Sequence, residues 1–426
     1  MSWPTAPLKR LVDPTRPITY GIVQAGPDTP GGIPYIRPVD MTQYDGVPDV
    51  KRLQRTTHEI AQSYRRSTVA AGDIVVSIGP SYGKTMVVPH ILAGANLTQG
   101  TARVAPAKNV SRRYLYWALQ SALAKQFWDS SVGGATFRAL NLEPLGRTPI
   151  PLAPLAEQHR IADFLDAETA RIDALVLHRY KQSELLGERF ESLAKSVTGR
   201  TAFRSGTLPD GWSTQQLRRT IKSIKTGTTP SSDDSEIWVE HTQTDTVPWY
   251  GPSSIGALLG LTPSLKRLPR SAMAERVVPK FPSGSVLVIG IGATAGKVAY
   301  LDHEGTGNQQ ITALAPELDM VGRFLAWQLW AATDELRELA PYTTLPIINN
   351  DFLKSFPIAV PPAAHQRVVV ERLDLAASRL RALERTAQQA TNLLAERRQA
   401  LITAAVTGQF DVSTASGRNV TDGVTA

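Results

Sequence analysis

The sequence has no cysteine among its 426 residues. Disulfides and thiolate metal sites are therefore excluded, and a reducing, cytoplasmic setting is expected. No stretch approaches the roughly 18 consecutive apolar residues that a membrane helix needs. The opening segment, MSWPTAPLKRLVDP, lacks an apolar core of signal-peptide length. The seven histidines (58, 90, 159, 178, 241, 303 and 365) never adopt a metal-ligand spacing such as H-E-x-x-H. No nucleophile, base and oxyanion hole can be assembled along the chain. What remains is a chain of ordinary apolar content, 42%, long enough for two to four domains with real cores.

What the chain does have is the same ending twice. Residues 149–200 begin PIPLAPLAEQHRIADFLDAETARIDAL and close with SVTGR; residues 357–409 begin PIAVPPAAHQRVVVERLDLAASRLRAL and close with AVTGQ. Pro149 answers Pro357, Gln158 answers Gln366, Leu165 answers Leu373 and Gly199 answers Gly408. A repeat this long means two domain-sized halves rather than a solenoid. The repeat extends upstream: Ala71–Gly79 parallels Ser283–Gly290, each a turn followed by a buried strand. Gly83-Lys84 parallels Gly296-Lys297, Asn96 parallels Asn308, and Thr136 parallels Thr344.

Each half is thus expected to be a mixed α/β or β-rich globule of about 150 residues followed by one helix of about 43 residues, or roughly 60 Å at ~1.5 Å per residue. In the second helix Leu373, Ala376, Leu380, Leu383, Ala387, Ala390, Leu394 and Leu401 follow the 3-4 spacing of a coiled-coil seam. The first copy is less regular, with Glu168, Arg179, Gln182 and Arg189 interrupting the stripe. An antiparallel pair with pseudo-twofold symmetry hides both stripes. The alternative is that each helix docks on its own globule. The expected divisions are 1–150, 151–205, 206–356 and 357–412, with a disordered tail over 413–426 that is small and polar.

The formal net charge is +8, and residues 1–150 carry 17 Lys/Arg against 9 Asp/Glu. The other three divisions are close to balance. A polyanionic partner for the first globule is one reading, and plain solubility is the other. Two enzyme-like motifs weaken on inspection. Gly79-Pro80-Ser81-Tyr82-Gly83 matches a nucleophile elbow, but β-like sequence follows it, and the second copy has Thr294 in place of the serine. The same run resembles a Walker A loop one residue too short, and Val298 stands where Ser or Thr would hold magnesium.

The run from Pro149 to Leu165, and its weaker copy from Pro357, strongly resemble the conserved region of type I restriction–modification specificity subunits. Gly31–Met41 (GGIPYIRPVDM) resembles that family's early target-recognition motif, to which Val247–Tyr250 is only a loose counterpart. Leu208–Trp212, Thr226–Pro230, Asn308–Gln310 and Tyr342–Thr344 match further motifs. The resemblance implies an α+β fold with two similar target recognition domains and two long antiparallel helices. It implies a subunit that reads a gapped, bipartite duplex DNA target and is itself non-catalytic. No N-P-P-[YF] motif of adenine methyltransferases occurs. Modification subunits, two in number, would bring S-adenosylmethionine, and restriction subunits would bring ATP and magnesium. The rival readings are a coiled-coil adaptor that binds only proteins and a hydrolase using the Ser81 turn.

Candidate DNA contacts in the first globule are Arg37, Lys51, Arg52, Arg55, Arg65, Arg66, Lys84 and Arg103, with Tyr35, Tyr44, Tyr64 and Tyr82 among them. In the second they are Lys222, Lys225, Lys266, Arg267, Arg270 and Lys297, with Trp249 and Tyr250. Phosphate contacts would position such a reader and base-edge contacts would specify sequence. Gln158, Phe164, Leu165, Gln366 and Leu373 are the candidate residues for binding partner subunits.

Overall fold

The computed structural model describes residues 3–41, 46–132, 139–230, 238–239, 244–262, 264–341 and 347–413. Tyr44, Thr136, Tyr342-Thr343-Thr344 and nearly all of the tail lie outside the described residues. The chain forms two compact units. One comprises residues 1–179 and 388–426, the other 180–387.

In the first unit a four-stranded antiparallel sheet runs in the order Thr19–Tyr20, Thr101–Val104, Ile74–Ser77, Thr85–Val87. All four residues of Ile74–Ser77 are buried, which explains the unbroken apolar run. A smaller sheet places Ile33–Ile36 between Arg55–Thr56 (antiparallel) and Asn96–Leu97 (parallel). The second unit repeats both sheets. Its larger sheet runs Ile221–Thr226, Ile311–Pro316, Ser285–Ile289, Val298–Leu301, and its smaller one Arg267–Pro269, Thr246–Tyr250, Thr306–Gly307. The turns before the buried strands need a left-handed residue, and Gly72 (φ 88°) and Gly284 (φ 84°) supply it.

The second copy also corrects the repeat register. Thr98 N donates to Ile36 O, and Asn308 N donates to Tyr250 O. Asn308 therefore matches Thr98, not Asn96, and Trp249 occupies the place of Tyr35. Val247–Tyr250 is thus the structural counterpart of the early motif, despite its divergent sequence.

The two long helices span Leu155–Val197 and Ala363–Thr407. Each contributes to both units. In the first unit Ile161 and Leu165 share one core with Leu401, Ile402 and Val406. Phe164 meets Phe410 at 5.6 Å between ring centroids, and Asp173 lies 3.7 Å from Arg398. As numbers rise along one segment they fall along the other, so the two run antiparallel there. In the second unit Phe190 and Ala194 share a core with Val369, Leu373, Ala377 and Leu380. Helix pairing and docking on a globule therefore coexist rather than exclude each other. Burial along the seam is uneven. Leu373, Leu380 and Leu401 are buried, whereas Leu383, Leu175 and Leu185 are each more than half exposed.

Both glutamines of the repeated ending are buried, at 2% and 1% exposure. Gln158 accepts from Ser111 N at 2.9 Å and donates to Ala153 O at 2.8 Å. Gln366 accepts from Val321 N at 2.8 Å and donates to Pro361 O at 3.0 Å. Each ties the start of a globule helix, Arg112–Gln120 or Gly322–Ala331, to the start of a long helix. Leu165 and Leu373 are wholly buried. These four side chains hold the chain together and are not accessible to another subunit. The expectation that they dock partners is corrected on that ground. Phe164 is partly buried against the same core.

Candidate nucleic-acid interface

The cations expected to meet DNA divide into three groups. Lys51 and Arg52 sit on a short 3-10 helix, Val50–Arg52, and Arg65 and Arg66 on another, Arg65–Ser67. All four are exposed. Lys222, Lys225 and Lys297 are exposed as well. Lys84 is exposed and reaches Pro38 O at 3.2 Å. All eight are exposed enough for a phosphate to reach, with Arg52 standing 3.5 Å from Asp49.

A second group is part-buried or braced. Arg37 donates from Nε and Nη2 to Asp40 and from Nη1 to Gln54 at 2.7 Å. The Asp40 hydrogen bonds hold its guanidinium even above the ordinary arginine range, against partial burial. Tyr35 OH donates to the same Gln54 oxygen at 2.7 Å. Arg270 bonds Asp245 at 2.9 Å and also Glu304. Tyr82 OH bonds Asp129 at 2.6 Å, and Tyr250 OH lies 2.6 Å from His303 Nε2.

Arg103 is the exception, and it is a correction. Only 5% of it is exposed, on a strand whose four residues are all buried. It donates to Thr68 O at 2.8 Å and Pro17 O at 3.4 Å. Burial, followed by the charge of Arg16, pushes its pKa down. It cannot touch a ligand in this fold.

The turn around Ser81 leads from Ile74–Ser77 into another strand, Thr85–Val87. A nucleophile elbow requires a helix at that point. Among the described residues no three His, Asp or Glu side chains gather as a metal site, and no helix is long and apolar enough to cross a membrane.

The model of the type I restriction modification DNA specificity domain matches residues 24–182 and again 209–391. The chain belongs to this family. Among relatives, the type I restriction enzyme EcoBI specificity subunit of Escherichia coli is 30% identical over 211 residues. That match spans 49% of this chain and 43% of the relative. A chain solved for the complex assembly and conformational transition of the type I R-M system superposes with TM-score 0.68 at 19% identity. It covers 96% of this chain and 98% of that one. The HsdS subunit from Thermoanaerobacter tengcongensis gives TM-score 0.50 at 19% identity, with 96% and 97% covered. These likenesses show that the fold is shared.

Tyr35 N donates to Gln54 O, and Trp249 N donates to Lys266 O. Gln54 and Lys266 are therefore equivalent, and so are Arg55 and Arg267. Arg55 Nη1 reaches Gly32 O at 2.9 Å, and Arg267 Nη2 reaches the matching carbonyl of Thr246 at 3.1 Å. One brace thus recurs in both specificity domains. The neighbouring position differs. Gln54 joins a polar cluster with Tyr35 and Arg37, whereas Lys266 Nζ stands 5.4 Å from the rings of both Trp238 and Trp249. The Trp238–Lys266 contact was not foreseen from sequence, since 28 residues separate the two. The only available signal was the tryptophan pair itself.

Proposed function

We propose that this chain is the sequence-reading subunit of a type I restriction–modification complex, each specificity domain reading one half of a gapped duplex target. The long helices set the gap and carry the modification and restriction subunits. The chain itself performs no chemistry; S-adenosylmethionine, ATP and magnesium act on the partner subunits. The observation that carries this reading is the doubled match of the family model over two units with the same sheets and the same helix-tethering glutamine. Shared scaffold with divergent exposed side chains is what two readers of different sequences require.

The test is to map methylated adenines in the source genome before and after deletion of the gene. Loss of methylation at one bipartite motif supports the reading. An unchanged methylation pattern, together with no retention of duplex DNA by the chain plus its modification subunit, would favour a protein-only adaptor.

A further inference from the structure

A cleft of about 530 Å³ opens in the first unit at the N-terminal end of the helix Arg112–Gln120. Four cations line it, Arg16, Lys108, Arg112 and Arg113, against one carboxylate, Asp73. Two of the cations are already engaged. Arg16 grips Asp73 with both guanidinium arms, and Arg113 bonds Asp163 and Asp166. Lys108 and Arg112 have no ion pair or hydrogen bond among the described residues. Hydrogen bonds to Thr15 lower the Asp13 pKa first, and the charge of Lys108 adds a smaller share. Arg112 lies over Gly72, its Nη1 2.2 Å from the place a Cβ there would take. A helix start carries partial positive charge, which adds to the field of the two cations.

The second unit cannot build this cleft. Ser111 and Val321 make the same backbone bond to Gln158 and Gln366, so Lys108 and Arg112 correspond to Leu318 and Gly322. A Cβ at Gly322 would stand 2.6 Å from Gly284 O, which leaves no room for an arginine there. The cationic cleft is therefore particular to one half of the repeat, and to the half that carries the charge surplus.

We infer that this cleft holds a phosphodiester of the DNA backbone outside the bases read by the first specificity domain. The inference rests on the proposed DNA-reading function. The lining favours nucleic acid over a protein partner. Protein interfaces have an apolar core built on aromatic anchors, whereas DNA interfaces are polar and strongly positive. Here the lining has no Phe, Tyr or Trp. The contact positions the duplex and carries no sequence information.

The complex reconstituted with its modification subunits tests this by fluorescence anisotropy on target and non-target duplexes across a salt series. Each lost phosphate contact lowers the slope of log affinity against log salt by about 1. The Lys108→Ala/Arg112→Ala variant should lose about 1 from the slope, because one phosphodiester carries one charge. It should weaken on both duplexes by the same factor, leaving the ratio between them unchanged. Lys108→Arg/Arg112→Lys should restore the slope, and thermal melts check that each variant folds. An unchanged slope overturns the inference while the function stands. Loss of assembly with the modification subunits overturns it too, because the cleft would then hold a protein. A wild-type complex that retains no duplex at all overturns both.

Discussion

Arg200 and Glu335 form a two-pronged ion pair inside the second unit, with Nε donating to Oε1 at 2.9 Å and Nη2 to the other carboxylate oxygen. Their side chains are 1% and 9% exposed. The third arm of Arg200 reaches Pro357 O at 2.9 Å, and the rings of Phe203 and Phe356 flank the guanidinium at 4.7 and 4.9 Å. Arg200 lies just after the first long helix and Pro357 shortly before the second, so the pair fastens two helix ends to the globule. Removing one member of a buried pair leaves the other charge stranded, at about 3–5 kcal/mol. Glu335→Ala should lose that much in urea denaturation; Arg204, the other partner of Glu335, is exposed and stays solvated. Replacing both members with Met and Leu should cost clearly less, because no charge is then left buried. A single variant that costs under about 1 kcal/mol would show that the pair is not structural.

The buried Arg103 and the exposed Arg65 and Arg66 should behave as different kinds of residue. Arg65→Ala/Arg66→Ala should leave the melting temperature nearly unchanged and weaken DNA binding on all sequences, with a reduced salt slope. Arg103→Ala strands the carbonyls of Thr68 and Pro17 and should destabilise the fold by about 1–3 kcal/mol. Its DNA affinity, corrected for the folded fraction, should not change. A salt-slope change in folded Arg103→Ala would contradict the assignment.

Tyr250 sets a pH limit on the second unit. Burial, followed by the charge of Asp302, pushes its pKa up to about 12, from 10.0 for the free side chain. The folded state therefore keeps the proton that the unfolded chain releases above pH 10. Stability from this group is complete below pH 10, falls between pH 10 and about 12, and then levels off. Denaturant midpoints should decline across that window. The decline should be shallower in Tyr250→Phe, which also loses the His303 hydrogen bond at every pH. An equally steep decline in the variant would assign the effect to other groups.

The scaffold was legible because its signals are local or duplicated. The strands Ile74–Ser77 and Ser285–Ile289 are buried on both faces, so their apolar runs could be read directly. The long helices follow from their stripe and from the glycines that end them. Gln158 and Gln366 could not be read this way. A glutamine on a helix looks solvent-facing, and only the tertiary fold brings Ser111 or Val321 to it. Arg103 resembles a surface cation by its charge, but its strand is interior. Thr101, Ala102 and Val104 are all fully buried beside it. The equivalence of Tyr35 with Trp249 was hidden because it rests on backbone hydrogen bonds, which leave no trace in side-chain identity.

The proposed ruler role of the helices predicts a change in DNA spacing rather than in DNA sequence. Seven residues add about 10 Å of helix at ~1.5 Å each and preserve the facing stripe. The insertion must be matched in both helices, after Leu175 in the first and after Ala390 in the second, because the antiparallel contacts bind each to the other. Phe164 with Phe410 and Asp173 with Arg398 would keep their register. At about 3.4 Å per base pair along one strand, the gap between half-sites should lengthen by about three base pairs. Each half-site sequence should stay the same, because the specificity domains are untouched. Genome-wide methylation mapping reads both quantities at once. A single-helix insertion should abolish binding by breaking the register. A matched insertion that leaves the gap unchanged would refute the ruler.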